Sequence, residues 1–219
     1  MTEWPEVTPR DALSVLQSDF AQTQEERTVS QEDLRFLEMM DAEIKQMDNG
    51  HLMMPLPFKS EQPWLPSNKK TALSRLAHLK KRFQTNAGYY DHYKEFMKGI
   101  IGKGDAERAD NSPKEGHVWY IPHHGVYHPK KPEKIRVVFD CSARHGSESL
   151  NGHLLTGPDL INHLTGVLYR FRKYPVPLMC DIERMFHEFM VKEEHRDYLQ
   201  FLWWEQGDLK TEPVEYMNI

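Results

Sequence analysis

The sequence predicts an α+β fold, and three observations carry that prediction. Apolar residues recur at helical spacing between residues 30 and 104. After residue 116 the pattern changes to short β-branched and aromatic runs bounded by proline, glycine and asparagine. No internal repeat or long apolar run suggests a solenoid or a membrane bundle.

Taken in order, residues 1–29 are polar around one apolar patch, Leu13, Val15, Leu16 and Phe20, which reads as a short helix in a loose segment. Ser30-Gln31-Glu32-Asp33 then has the form of a capping box. Leu34, Leu37, Met40, Ile44 and Met47 follow on one helical face, and Asp48-Asn49-Gly50 ends the helix. Residues 51–67 are proline-rich, and proline fixes φ and lacks a donor, so an extended connector is expected. Asn68 is placed to cap the next helix, whose stripe is Leu73, Leu76, Leu79 and Phe83. Asn86-Ala87-Gly88 breaks it. An aromatic-rich helix through Tyr89, Tyr93, Phe96, Met97 and Ile100 completes a helical hairpin, closed by Gly102-Lys103-Gly104. Residues 105–116 read as a polar loop.

The β portion begins at residues 118–121. Gly125-Val126-Tyr127 starts a second extended piece, residues 129–133 a turn, and residues 134–140 a clear strand. Gly157-Pro158-Asp159 should open a helix burying Leu160, Leu164, Val167, Leu168 and Phe171. The apolar run 176–180 reads as a buried strand ending at Asp181, followed by a short helix with Met185, Phe186 and Phe189. Residues 198–204 form a strand in which Trp203 and Trp204 alternate faces, one in the core and one outside. Residues 214–219 should pair back on it. The domain division expected is 1–29 loose, 30–110 helical and 111–219 mixed.

The 219 residues carry a net charge of −5, so whole-chain charge does not favour a free-standing nucleic-acid binder. The charge is uneven: residues 1–48 are acidic, whereas 68–82 and 128–136 are basic. Cys141 and Cys180 form no paired motif, which suits a reducing, intracellular setting, cytoplasmic or nuclear. Neither a signal peptide nor a membrane span is expected, and no membrane partner.

Three clusters could carry chemistry. A carboxylate at a strand end, as at Asp181, suits a hard cation such as magnesium, but spacing alone favours a plain helix cap. Lys134 and Arg136 share one face of their strand and could hold a triphosphate, or could simply charge a solvated edge. His117, His123, His124 and His128 lack the cysteine partners or helical spacing of a zinc site and read as ordinary hydrogen-bonding histidines. Phosphate-loop, dinucleotide and hydrolase-elbow motifs are absent, as are the Asp-Thr-Gly and Asp-Ser-Gly of aspartic proteases.

Several strings in fixed order resemble the reverse transcriptase of BEL/Pao retrotransposon Pol polyproteins. These are Tyr120-Ile121-Pro122-His123-His124-Gly125-Val126, Lys134-Ile135-Arg136-Val137-Val138-Phe139-Asp140-Cys141-Ser142-Ala143, Leu155-Thr156-Gly157-Pro158-Asp159-Leu160 and Met179-Cys180-Asp181-Ile182-Glu183-Arg184-Met185-Phe186. The likeness continues through Glu194-His195-Arg196-Asp197-Tyr198 and Phe201-Leu202-Trp203-Trp204, and extends more weakly upstream to about residue 30. It implies an incomplete fingers-and-palm unit of a right-hand polymerase behind a helical region. Asp181 and the backbone carbonyl of Ile182 would hold Mg2+. Phe186 would be the gate against a ribose 2′-hydroxyl. Arg136, with Lys134, would contact the incoming triphosphate. Template–primer nucleic acid and a deoxynucleoside triphosphate would be the partners. The family's Tyr-x-Asp-Asp motif is missing, since the sequence contains no adjacent aspartates, and the pattern is left near Tyr216-Met217-Asn218-Ile219. The expectation is therefore a truncated polymerase without autonomous catalysis. The alternative is a non-enzymatic module that binds nucleic acid or a complementing protein chain.

Overall fold

The computed structural model describes residues 30–109, 115–181 and 185–218. The short helix expected within residues 1–29, and the carbonyl of Ile182, lie outside them.

Helix α1 spans Gln31–Glu43 and opens with the expected capping box. Ser30 Oγ accepts the Asp33 amide at 3.1 Å, and the Asp33 carboxylate accepts the Ser30 amide at 3.2 Å. The helix stops earlier than its apolar spacing suggested. The chain turns into strand β1, Lys45–Gln46, which pairs antiparallel with β2, Leu52–Met54. The turn between them requires Gly50 at φ 89°. β2 also pairs in parallel with a distant strand, β6, Phe189–Val191. The proline-rich connector is thus partly strand, and Phe189 belongs to a sheet rather than to the short helix expected around it.

Helices α2, Lys69–Thr85, and α3, Ala87–Gly102, form the expected hairpin. Asn86 breaks the first and caps the second, its Oδ1 accepting the Tyr89 amide at 2.9 Å. Leu76, Leu79 and Phe83 on α2 are buried, as are Tyr89, Tyr93, Met97 and Ile100 on α3. Leu73 is left exposed and Ala72 takes its place in the stripe. Asn68 stands at the N-cap of α2 but makes no capping bond. Its side chain is engaged elsewhere.

After α3 the chain forms β3, Ala106–Arg108, within the stretch expected to be loop. It pairs antiparallel with β8, Pro213–Asn218, whose other edge pairs with β7, Gln200–Trp204. The pairing back of β8 on β7 follows the sequence expectation. β3 is a consequence of β8 having a second edge to satisfy, which no local pattern announces. Residues 118–121 contribute one parallel bridge, Tyr120 to Gln200, instead of a strand. β4, His123–His128, and β5, Lys131–Phe139, form an antiparallel hairpin.

The hairpin α2–α3 packs on these strands through one aromatic-rich core including Phe83, Tyr93, Phe201, Trp203 and Trp204. Both tryptophans are buried, each 2% exposed, contrary to the one-in, one-out expectation. Every residue of β7 is buried, so both faces of the strand are covered. Trp203 stacks on Tyr93 with centroids 5.4 Å apart, and Trp204 meets Phe83 edge-on at 6.2 Å. A second cluster gathers Phe58, Leu65, Trp119, Ile121, Leu150 and Tyr198.

Beyond a short helix α4, Leu150–His153, the expectations fail most. Residues 158–163 are not helical. The Asp159 carboxylate accepts the Ile161 amide at 3.0 Å, a local turn that competes with helix initiation. Helix α5 runs only over Leu164–Arg172, and its apolar residues, with Leu160, are exposed rather than buried. The run 176–180 is not a buried strand. Leu178 and Met179 are each 90% exposed, and no described strand lies beside them to pair with. Met185–His187 form one 3₁₀ turn. The architecture is α+β. No helix among the described residues is long and apolar enough to cross a membrane.

Candidate functional site

Strand β5 alternates cleanly: Ile135 and Val137 are buried, while Lys134 and Arg136 share its exposed face. The pairing of Arg136 with Val126 and of Ile135 with Tyr127 sets this register. A hydrophobic face packed on the helical hairpin makes a one-residue slip costly, so the two cations are held on the outer face.

Arg136 lines a cleft of about 710 Å³. One wall is the remainder of β5. Another is the end of α3, with Phe96, Ile100 and Lys103, the last lying between Gly102 and Gly104. The β2–β6 sheet contributes Phe189, Met190 and Val191, and Phe186 stands at the mouth, 77% exposed. Asn49, His51, Asp105 and Asn218 add polar groups. The Nδ1 of His51 is 3.8 Å from a Glu188 carboxylate oxygen, too far for a hydrogen bond, and among the described residues it has no hydrogen-bond partner. An apolar-walled cleft with cations on two sides suits a ligand that has a flat body and an anionic end.

Of the five residues singled out by sequence, Ile182 lies outside the described residues, and the other four are divided. Arg136 and Phe186, far apart in the chain, line one cleft. Lys134 shares the face of Arg136 but lies outside the lining. Asp181 is exposed on an irregular stretch, not at the end of a buried strand, and it also lies outside the lining. Among the described residues, no group of three or more His, Cys, Asp or Glu side chains could hold a metal ion.

The histidine-rich segment has other duties. His123 is buried under α3. Its Nε2 donates to the Leu202 carbonyl at 2.9 Å, which leaves Nδ1 to accept the Tyr93 hydroxyl. Burial pushes its pKa down to about 4, outweighing the bond to Leu202, which favours the charged form. His117 hydrogen-bonds the Tyr198 hydroxyl at 2.9 Å, and His128 accepts the Lys130 amide at 3.1 Å.

Sequence reasoning missed the contributions of His51 and Lys103 to the cleft. Gly102-Lys103-Gly104 was legible as a helix terminator. Nothing local shows that β2 pairs with β6 and so brings the upstream segment beside β5.

No protein-family model matches the chain, and neither a curated protein nor a solved structure matches it.

Proposed function

We propose that this chain is the fingers and first palm segment of a BEL/Pao-like reverse transcriptase, and that it binds a deoxynucleoside triphosphate without polymerising on its own. The order of the motifs supports the reading. The observation that carries it is the meeting of Arg136 and Phe186 in one cleft. The Arg136 guanidinium can take two phosphate oxygens at once, and the flat Phe186 ring offers no hydrogen-bond partner to a ribose 2′-hydroxyl. Lys134 extends the cationic face toward a template–primer backbone. The sequence has no adjacent aspartates to supply the second part of a two-metal carboxylate set.

The apolar residues exposed between 160 and 186 favour a second reading, in which a complementing protein surface covers this stretch.

The test is a titration of the 219-residue chain with a deoxynucleoside triphosphate, followed by amide chemical shifts, beside a primer-extension assay. Binding that weakens about tenfold in Arg136→Ala, the loss of one charge-assisted pair, is expected. Phe186→Ala should narrow the preference for deoxyribose over ribose. No extension is expected. Equal affinity in Arg136→Ala would sink the nucleotide reading, and extension that depends on Asp181 would sink the claim of inactivity.

A further inference from the structure

A second cavity, about 530 Å³, lies on the other side of α3. Phe96, Ile100 and Lys103 face the cleft already described, whereas Lys94, Lys98 and Ile101 face this one. An offset of two residues turns a helix by about 200°, so the two sites lie on opposite faces of α3. Trp203 and Tyr216 contribute aromatic wall, and the turn Glu205-Gln206-Gly207 closes one end.

That turn is built in an unusual way. Gln206 and Gly207 are consecutive left-handed residues, at φ 52° and 75°. A side chain at the first is strained, and a Cβ at Gly207 would sit 3.0 Å from Cγ and Cε of Lys94. The absent Cβ lets the Lys94 stem lie against the turn, while the Tyr90 hydroxyl donates to the Gly207 carbonyl and holds the turn against α3. The cation is therefore placed at the cavity by packing rather than by an ion pair. The Lys94 ammonium lies 5.9 Å from the centroid of the Tyr90 ring, and among the described residues neither Lys94 nor Lys98 has a salt-bridge partner. The one carboxylate in the lining, Glu205, is paired with Arg108 at 3.3 Å. A cavity of this size with an apolar floor and two lysines one helical turn apart is matched by a flat body bearing one compact anion.

We propose that this cavity is a binding site for an aromatic phosphate of mononucleotide size. The phosphate lies between Lys94 and Lys98, and the ring lies toward Ile101, Trp203 and Tyr216. The site is independent of Arg136 and of any polymerase ancestry.

The experiment is a titration of the full chain with adenosine monophosphate, adenosine and inorganic phosphate in separate arms. It is followed at the amides of Gly102 and Gly207 for this cavity, and of Gly104 for the cleft. Adenosine monophosphate should shift Gly102 and Gly207 and bind about tenfold or more tightly than either half alone. Lys98→Gln should weaken it several-fold and Lys94→Gln/Lys98→Gln further. Arg136→Ala should leave it within twofold. Because Lys94 also packs on the turn, the Lys98 variant, whose thermal midpoint should be unchanged, decides the matter. Three results would overturn the proposal: shifts confined to Gly104, inorganic phosphate binding as tightly as the nucleotide, or unchanged affinity in Lys98→Gln.

Discussion

The side-chain amide of Asn68 grips both backbone polar groups of Tyr120: its Nδ2 donates to the Tyr120 carbonyl at 2.8 Å and its Oδ1 accepts the Tyr120 amide at 2.9 Å. Asn68 is 2% exposed. The residue that opens α2 is thereby used as a one-residue strand, and it fixes where the polypeptide enters the β portion. Asn68→Ala leaves a buried donor and a buried acceptor without partners, which should cost about 2–4 kcal/mol. Asn68→Asp keeps the acceptor and loses the donor, so it should be destabilising as well. Urea denaturation of the three proteins checks this. A loss below about 0.5 kcal/mol in Asn68→Ala would mean that the clasp contributes nothing.

His123 sets an acid limit. It is neutral in the fold with a pKa pushed down to about 4, against an ordinary value of 6.5. Between those values the unfolded chain binds the proton and the folded chain does not. Stability is therefore complete above pH 6.5 and falls as the pH drops toward 4, by on the order of 3 kcal/mol. His195, also depressed chiefly by burial, pulls in the same direction. Its Nδ1 accepts the Leu56 amide at 3.0 Å and cannot do so once protonated. His123→Gln can still bond Tyr93 and the Leu202 carbonyl but does not titrate. Its urea midpoint should decline less steeply between pH 6.5 and 4 than that of the parent. Parallel curves would assign the acid loss to other groups.

The helical hairpin and the β7–β8 pair were legible because their signals are local and repeated. Leu76, Leu79 and Phe83, then Tyr89, Tyr93, Met97 and Ile100, recur at the helical period over several turns. The capping box at Ser30 needs only four residues to declare itself. Three features depend instead on partners remote in sequence. Asn68 looks like any helix cap until Tyr120 is beside it. β2 and β3 are short and gain their identity from β6 and β8. The run 176–180 is apolar enough for a buried strand, but Pro177 within it has no N–H to give a ladder, and periodicity cannot say whether a neighbouring strand is there to receive it. The candidate site divided in the same way. Lys134 and Arg136 followed from strand alternation, whereas the cleft that takes Arg136 and Phe186 and leaves out Asp181 follows from long-range pairing.

The exposed stretch makes its own prediction. Leu178 is 90% exposed and Leu202 3%. Leu178→Asp should change stability by less than about 0.5 kcal/mol, as surface substitutions do, whereas Leu202→Ala should cost about 2–5 kcal/mol. Chemical denaturation of both variants separates this arrangement from the buried strand that the apolar run suggests. A large loss in Leu178→Asp would mean that this residue is covered in solution, and light scattering would show whether a second copy covers it.

The proposed nucleic-acid binding makes a prediction for the charge on β5, read in the salt dependence of affinity. Lys134 and Arg136 stand on the same exposed face, two residues apart on a strand that rises about 3.4 Å per residue. Their spacing is close to that of successive phosphates along one strand. If each neutralises one phosphate, each releases counterions, and the logarithm of affinity falls with the logarithm of salt by about 0.7 per contact on single strands. Replacing Lys134 or Arg136 by glutamine should flatten that slope by roughly this amount, and the double variant by twice as much. Fluorescence anisotropy with a labelled oligonucleotide from low to moderate salt measures it. Arg136→Gln should in addition weaken triphosphate binding, because Arg136 alone of the pair lines the cleft. Identical slopes in all four proteins, or no binding at low salt, would remove β5 from the proposed nucleic-acid interface. A change confined to Lys134→Gln would divide the two residues by task, the lysine serving the polymer and the arginine the nucleotide.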